Sequence, residues 1–358
     1  MNKPTTRDSA PTSSARPGDN NKSAAALSKD DADVVKRLRE ARQRVKDEMA
    51  KVVVGQDEIV DHLLIGLLCR GHVLLHGVPG LGKTLMGRTL ARTLDMEFKR
   101  IQFTPDLMPS DITGTDVMEE DHATGKHTLQ FLPGPVFTNF LLADEINRTP
   151  PKTQAALLQA MQEREVSVGT QTFKLKPPFF VVATQNPIEM EGTYPLPEAQ
   201  VDRFMFNLRV KYPSVDEEVQ IIKGTTSTLT AEAGKVMAAD EVVRLQDLVR
   251  GVPIADSVVR YVARLVSHTR PGEVPQDNAI HKYISYGASP RASQYLVLGA
   301  KARAILSGKY HVDFTDIKAI AHPVLRHRLV LNFHARADNV DSDTLVDRIL
   351  KAVPQEER

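Results

Sequence analysis

The feature that most constrains this chain is a glycine-rich loop between a predicted strand and a predicted helix. The loop reads Gly-Val-Pro-Gly-Leu-Gly-Lys-Thr over residues 77–84. It follows an apolar run at residues 72–76 and precedes helically spaced apolar residues at 85–94. Strand, glycine-rich loop, Gly-Lys-Thr and helix together are the full context of a phosphate-binding loop. A chance glycine turn between a strand and a helix would leave that whole pattern unexplained.

Each part of this loop has a chemical role in holding ATP or a close relative. Glycines let backbone N–H groups converge on a phosphate without a clashing Cβ atom, and the helix N-terminus adds partial positive charge. We expect Lys83 to reach the β- and γ-phosphates and the Thr84 hydroxyl to ligate Mg²⁺. The residues expected to bind the nucleotide here are Gly77, Val78, Pro79, Gly80, Leu81, Gly82, Lys83, Thr84 and Leu85.

Composition bounds the class of protein. A chain of 358 residues suggests two or three domains, and its 25% charged and 41% hydrophobic residues are ordinary for a globular protein. The formal net charge of +1 gives no global basic field to attract nucleic acid or anionic lipid. The single cysteine, Cys69, excludes an internal disulfide and lies in an apolar run, which indicates a buried thiol. No membrane span or signal peptide is apparent, so we expect a cytoplasmic protein.

The pattern of apolar residues divides the chain into three parts. Residues 1–31, rich in Ser, Thr, Pro and charge, are expected to form a disordered tail. Residues 32–212 indicate an α/β nucleotide-binding domain, a parallel sheet flanked by helices, with β-hairpins inserted at 116–131 and 166–175. Residues 213–358 are predicted to form a smaller, all-helical domain. Its predicted helices cover residues 215–224, 240–250, 255–268, 290–307 and 341–352.

Two carboxylates and an amide follow buried strands later in the chain. Asp144 and Glu145 end an apolar run that begins at Phe140, and Asn186 follows the next apolar strand. Ligands of α/β sheets bind at the carboxyl ends of the strands. We therefore expect Asp144 to hold Mg²⁺, directly or through water, and Glu145 to orient and deprotonate an attacking water. The amide of Asn186 is suited to bond the γ-phosphate and that water. The alternatives are a solvated acidic pair and a turn-forming Asn before Pro187.

Two arginines outside the loop are further candidates. Arg203 lies between a predicted short helix and a predicted edge strand, and its simplest alternative is a surface ion pair with Asp202. Arg291 follows Ser289 and Pro290, which favour the N-cap and the first position of a helix. Arg291 is thus predicted in the first turn of that helix, where taken alone it would be a solvated side chain.

The order of these features resembles that of the AAA+ ATPases and, within them, of the MoxR family. The order is phosphate loop, Asp-Glu at a strand end, Asn at a strand end, an arginine, and a helical lid that carries another arginine. The segments that carry the resemblance are residues 77–84, 102–114, 134–137, 143–148, 183–187 and 287–291. The longer inner segments are specific to the family, whereas the loop alone would indicate only the superfamily.

The resemblance implies an AAA+ core, a lid and a role for each candidate residue. It implies a ring, expected to be a hexamer, that binds ATP between protomers. Asn186 would be sensor 1, Arg203 the arginine finger that acts on a neighbour's ATP, and Arg291 sensor 2 on the lid. Val54 and Gly55 would border the adenine. The first hairpin would be the helix-2 insert and the second the pre-sensor-1 hairpin.

The resemblance also implies partners and leaves alternatives open. Family members remodel or mature protein clients, often with a partner that carries a von Willebrand factor A (VWA) domain; a magnesium-chelatase-type motor subunit shares the layout. A DNA-dependent motor would need basic and aromatic hairpin tips, but residues 169–172 are neutral and Lys126 follows an acidic stretch. A nucleotide-gated scaffold would not need Glu145, Asn186 and Arg203 together. We therefore expect a protein client and no nucleic acid.

Overall fold

A five-stranded parallel sheet organises the fold between residues 73 and 209. The computed structural model describes residues 29–121, 126–187, 192–227, 231–273, 277 and 279–355. Helix α1 begins at Lys29, three residues earlier than predicted, so residues 1–28 of the predicted tail lie outside the described residues. The tip of the first predicted hairpin, at residues 122–125, lies outside them as well.

Helices and strands alternate through the nucleotide-binding part of the chain. Its helices are α1 (Lys29–Ala50), α2 (Asp57–Leu68), α3 (Lys83–Thr93), α4 (Pro109–Thr113), α5 (Pro151–Glu163) and α6 (Glu198–Val201). Its strands are β1 (Val73–His76), β2 (Phe98–Gln102), β3 (Gly114–Asp121), β4 (Lys126–Pro133), β5 (Phe140–Asp144), β6 (Glu165–Val168), β7 (Gln171–Lys174), β8 (Phe180–Gln185) and β9 (Phe206–Arg209).

The sheet runs in the order β2-β5-β8-β1-β9, and every pairing in it is parallel. Parallel neighbours require crossover connections, which the helices between the strands provide. The register places Gln102 opposite Asp144, and His76 opposite Gln185. The carboxyl ends of β1, β5 and β8 therefore meet at one edge, as the sequence predicts.

Successive side chains of the central strands divide between two hydrophobic clusters, because neighbouring residues of a strand point to opposite faces. Phe140 and Leu142 pack in the cluster that contains α1, α2 and α3, whereas Leu141 and Ala143 pack in the cluster that contains α5. The strands are buried on both faces, which is why they read as continuous apolar runs in the sequence. Cys69 is buried in the first cluster, and burial raises the pKa of its thiol.

The two predicted hairpins are present and contact each other. The first is β3–β4 and the second β6–β7, each antiparallel and separate from the main sheet. Phe131 of β4 stacks on Phe173 of β7 with ring centroids 4.1 Å apart, and Phe137 packs edge-on against both rings. Met118 and Leu129, which face each other across the first hairpin, are 69% and 72% exposed. The hairpins thus share one aromatic contact and leave apolar side chains at the surface.

The C-terminal part is mainly helical, although not all-helical as predicted, and packs on one side of the sheet. Its helices are α7 (Val215–Thr225), α8 (Ala239–Gly251), α9 (Asp256–Ser267), α10 (Pro290–Leu306), α11 (Phe314–Leu325), α12 (Phe333–Ala337) and α13 (Ser342–Ala352). Helix α10 contacts α1 and α2, and α11 contacts the edge strand β9. Within the described residues, no helix is both long and apolar enough to cross a membrane.

Three elements of this part are absent from the sequence prediction. They are α11, α12 and a two-stranded antiparallel ladder of β10 (Ile284–Tyr286) and β11 (Val330–Leu331). Pro323 lies inside α11, a position that interrupts a helical pattern when only the sequence is considered. The ladder pairs strands of three and two residues, which are too short to give an alternating pattern.

The base of the first hairpin yields a stability prediction. Gly114 has φ +93°, and a Cβ atom there would lie 2.3 Å from the carbonyl oxygen of Leu132. Gly114→Ala should therefore lower the free energy of unfolding by at least about 2 kcal/mol through overpacking and backbone strain. Gly224→Ala is the matched control, since nothing lies within 4 Å of its added Cβ and α7 gains helix propensity. Equal unfolding midpoints for the two variants in denaturant would contradict this.

Candidate active site

The glycine-rich loop joins β1 to α3 in the conformation that a phosphate-binding loop needs. Gly80 and Gly82 have φ +86° and +71°, values that residues with a Cβ rarely adopt. A Cβ atom on either would meet nothing within 4 Å, so open space lies in front of the loop. Helix α3 begins at Lys83 with Gly82 as its N-cap, and no side chain of the cap residue bonds the N–H groups of its first turn. The predicted loop geometry is therefore present, and it suits an anion.

Lys83 lies between the loop and the carboxylates. Its Nζ donates hydrogen bonds to the carbonyl oxygens of Gly77 and Val78, the latter at 3.1 Å. Burial lowers the pKa of Lys83, while the charges of Asp144 and Glu145 act in the opposite direction. The pairing of β1 with β8 and of β8 with β5 places the loop that carries Lys83 and the end of β5 at one edge of the sheet. The structure thus brings together the lysine of the loop and the acidic pair that the sequence predicts beside it.

Asp144 is buried at the end of β5 and is fully engaged. Its Oδ1 accepts a hydrogen bond from Thr184 Oγ1 at 2.6 Å. Its Oδ2 accepts from Arg100, with Nε at 3.0 Å and Nη2 at 2.6 Å. Arg100 belongs to the adjacent strand β2, so the parallel pairing of β2 with β5 produces this ion pair. The carboxylate of Asp144 is therefore fixed by hydrogen bonds and an ion pair, and Asp144 and Glu145 are not a pair of solvated carboxylates.

Glu145 adopts a left-handed backbone conformation, with φ +57°. Its backbone N–H donates to Thr184 Oγ1 at 2.9 Å. Its Oε2 accepts from Gln102 Nε2 at 3.0 Å and from Arg148 Nη1 at 2.9 Å. Residues other than glycine adopt this conformation at a cost, and such residues are concentrated at functional sites. Contacts from three directions fix Glu145 at the end of the strand.

Asn186 is buried at the same edge of the sheet. It directly follows β8, which pairs with β1 so that His76 lies opposite Gln185. The backbone N–H of Gly77, the first residue of the loop, donates to the carbonyl oxygen of Gln185 at 3.4 Å. The strand pairing therefore places Asn186 next to the start of the loop, which is the position that its predicted role needs.

The donor set suits a magnesium ion that shares its ligands with a nucleotide. No group of three or more His, Cys, Asp or Glu side chains that could hold a metal occurs among the described residues. The oxygen donors here are the half-buried Thr84 hydroxyl and the Asp144 carboxylate. Mg²⁺ prefers oxygen and usually binds through one or two carboxylates, waters and phosphates. Because Arg100 and Thr184 engage both oxygens of Asp144, coordination through water fits this carboxylate best.

The predicted adenine-bordering residues, Val54 and Gly55, belong to a segment that contacts the first residues of the C-terminal part in space. Gly55 has φ +73°, and a Cβ atom there would lie 2.5 Å from the carboxyl carbon of Glu217. Gln56 Nε2 donates to the carbonyl oxygen of Lys211 at 3.3 Å. The predicted adenine-bordering segment is thus tied to the connection between β9 and α7, and contact with adenine stays a prediction.

The two candidate arginines are linked through Asp202. Arg291 is in the first turn of α10, as predicted, and its Nη1 donates to Asp202 Oδ2 at 2.9 Å. Asp202 also accepts from Arg328 Nε at 2.7 Å. The ion pair between Arg203 and Asp202 considered from the sequence is not formed. Arg203 is partly exposed, and its guanidinium bonds to no side chain in the part of the chain that the structure describes.

Sequence reasoning missed several side chains of the site. Thr184 lies inside a segment that carries the family resemblance, yet its threonine looks like an ordinary strand residue. Arg100 and Gln102 show one usable signal, since they are polar residues spaced by two on a predicted strand. Arg328 comes from the C-terminal part and has no local signal, because its carboxylate partner, Asp202, is more than a hundred residues away.

Comparison with known proteins adds independent observations. The ATPase family associated with various cellular activities (AAA) matches residues 72–206, and the AAA lid domain matches residues 276–349. Chaperone MoxR1 of Mycobacterium tuberculosis is 45% identical over 311 residues, covering 87% of this chain and 81% of that protein. Protein MoxR of Paracoccus denitrificans is 34% identical over 299 residues, covering 78% and 86%. A crystal structure of an ATPase candidate from Cytophaga hutchinsonii has a TM-score of 0.82 at 42% identity, covering 91% of this chain and 98% of that one.

The parallel sheet, the phosphate-type loop and the helical lid define an AAA+ ATPase fold. The relatives that carry the MoxR name align over most of their own length and most of this chain. The chain belongs to the MoxR family of AAA+ ATPases, which confirms the resemblance seen in the sequence.

Thr184 provides a stability test of the site. Thr184→Val keeps the shape of the side chain but leaves the Glu145 N–H without its partner and removes a hydrogen bond to Asp144. We expect a loss of about 2–4 kcal/mol in the free energy of unfolding. Thr184→Ser keeps the hydroxyl and should lose only about 1 kcal/mol, for its missing methyl group. Denaturant unfolding measures both losses. A serine variant with a free energy of unfolding no higher than that of the valine variant would contradict the bridging role of the hydroxyl.

Proposed function

We propose that this protein hydrolyses ATP in a homo-oligomeric ring and uses the energy to remodel a protein client. The observation that carries the proposal is the parallel pairing of β1, β8 and β5, which brings the loop with Lys83 and the acidic end of β5 to one edge of the sheet. Phosphoryl transfer needs mainly positioning and charge stabilisation, and these residues supply both. The family membership supports ATP as the nucleotide.

The residues of one protomer would divide the work as follows. Gly77, Val78, Pro79, Gly80, Leu81, Gly82, Lys83, Thr84 and Leu85 would hold the phosphates, and Val54 and Gly55 would border the adenine. Glu145 would accept a proton from the attacking water, with Gln102 and Arg148 fixing its carboxylate. Asn186 would hold that water and the γ-phosphate. When bound by Thr84 and Asp144, Mg²⁺ would neutralise charge on the phosphates.

Arg203 would serve the ATP of a neighbouring protomer, and Arg291 would be sensor 2 on the lid. Arg203 precedes the edge strand β9, at the side of the sheet remote from β5, and is partly exposed. Arg291 is bound to Asp202, the residue before Arg203, so both arginines are close to the same turn. This arrangement supports the proposed ring, in which each protomer completes the next one's site, and a hexamer is the stoichiometry we propose.

A protein client is favoured over a nucleic acid. The first hairpin exposes Met118 and Leu129, and exposed apolar side chains suit contact with protein better than with a phosphate backbone. One relative is named a chaperone, which supports the same direction. A VWA-domain partner, which rests on the family resemblance, and a cytoplasmic location, which rests on the sequence analysis, are further parts of this proposal.

Substitutions in the loop and at the strand end should separate binding from turnover. Lys83→Ala should lose ATP binding, because the ammonium is the charge that meets the phosphates. Glu145→Gln should bind ATP with little change while its turnover falls about 10²–10³-fold. Equilibrium binding and steady-state phosphate release measure the two effects. The control is Glu163→Gln at the exposed end of α5, which should change neither ATP binding nor turnover. Normal turnover of Glu145→Gln would disprove the assigned base.

Assemblies mixed from Arg203→Ala and Glu145→Gln chains test whether Arg203 acts as an arginine finger. Arg203→Ala alone should bind ATP and lose turnover by about 10³-fold, because it cannot complete a neighbour's site. Mixed with Glu145→Gln chains, it should recover turnover, since the Glu145→Gln chains contribute Arg203 to the intact sites of Arg203→Ala chains. Undiminished turnover of Arg203→Ala by itself, or no recovery on mixing, would remove the finger role.

A further inference from the structure

Lid side chains hold the backbone of the turn that carries Arg203. Arg328, which follows α11, donates from Nη2 to the carbonyl oxygens of Asp202 at 2.8 Å and Phe204 at 2.6 Å. Its Nη1 donates to the carbonyl oxygen of Met205 at 3.3 Å. Its Nε donates to the Asp202 carboxylate at 2.7 Å. One guanidinium therefore binds four acceptors of this turn.

Two neighbours of Arg328 complete the set of contacts. Tyr295 of α10 donates its hydroxyl hydrogen to the carbonyl oxygen of Arg203 at 3.1 Å. His327 Nε2 lies 3.1 Å from the carbonyl oxygen of Phe204 and, since a carbonyl only accepts, must be the donor. Every backbone carbonyl from residue 202 to residue 205 thus receives a hydrogen bond from the lid.

The burial of Arg328 makes this set of contacts specific. Its side chain is 1% exposed, and a buried cation is tolerated only when it is paired and hydrogen-bonded. Burial lowers the pKa of Arg328, and the charge of Asp202 opposes that shift. The guanidinium also lies 5.2 Å from the ring centroid of Tyr295. The fixed fork of donors matches several oxygens at once, which a lysine ammonium cannot do from the same place.

The same carboxylate joins this turn to the start of α10. Asp202 accepts hydrogen bonds from Ser289 Oγ at 3.1 Å and from Arg291 Nη1 at 2.9 Å, in addition to Arg328. Separating the lid from the turn would leave the buried charge of Arg328 without its partners, which is costly. A displacement of the lid would therefore carry the turn with Arg203 along.

We propose that Arg328 is a positioning residue for Arg203: it binds the turn at residues 202–205 to the lid, so that the lid of one protomer sets the finger presented to the next. The inference rests on the proposed role of Arg203 in a neighbour's site. It assigns Arg328 no contact with nucleotide. Its effect should appear only in the protomer that donates the finger.

Mixed assemblies of two chains test this directly. The receiver chain carries Arg203→Ala, and the donor chain carries Glu145→Gln, so the active sites are receiver sites completed by donor fingers. Adding Arg328→Lys to the donor should lower turnover at saturating ATP by about tenfold, since a small misplacement of a charged group is costly. Adding Arg328→Lys to the receiver should change turnover less than about twofold, because that chain has no finger to position.

Two further variants keep the test decisive. Tyr295→Phe in the donor removes only the hydrogen bond to Arg203 and should lower turnover less than Arg328→Lys does; it carries the test if Arg328→Lys does not fold. Arg303→Lys in the donor is the matched control. Arg303 also pairs with a buried lid carboxylate, that of Asp316, but does not touch the turn. It should leave turnover of the mixture unchanged.

The outcomes separate this inference from the proposed function. No turnover in the starting mixture of Arg203→Ala and Glu145→Gln chains would overturn the finger role and this inference with it. Turnover in that mixture, with equal losses from Arg328→Lys in donor and receiver or with no loss in the donor, would overturn this inference alone. Loss confined to the donor, with ATP affinity of the receiver unchanged, would support it.

Discussion

The parallel pairing of β5, β8 and β1 is the constraint on which the candidate site depends. It brings the ends of three strands to one edge, so that the glycine loop, Asp144 with Glu145, and Asn186 become neighbours although they are far apart in sequence. Thr184 shows how close this dependence is. Its hydroxyl, on β8, bridges both acidic residues that follow β5, and any slip of that pairing would break both hydrogen bonds.

The turn at residues 202–205 depends on a different kind of interaction. Residues 202–205 connect α6 to the edge strand β9 and form no regular structure of their own, so their carbonyl groups need partners from elsewhere. Arg328, Tyr295 and His327 supply those partners from the lid. The active side of the sheet is thus set by strand pairing, and the surface that would face a neighbour is set by the lid.

Much of the fold could be predicted because its signals are local. Strands buried on both faces appear as apolar runs, and the glycines of residues 77–84 lie where left-handed backbone is needed. The short ladder of β10 and β11 and helix α11 were missed for a physical reason as well. Strands of two or three residues give no periodic pattern. Pro323 interrupts the helical pattern near the end of α11, although the helix continues past it in the structure.

The sequence by itself determined the candidate site residues and their order: the loop, Asp144, Glu145, Asn186, Arg203 and Arg291. These could be found because chemistry restricts the residues that can serve and each follows a recognisable element. Only the tertiary structure decided which side chains hold them. Thr184, Arg100 and Arg328 act through contacts between distant segments, and the partner of a buried polar group depends on packing, which no local pattern records.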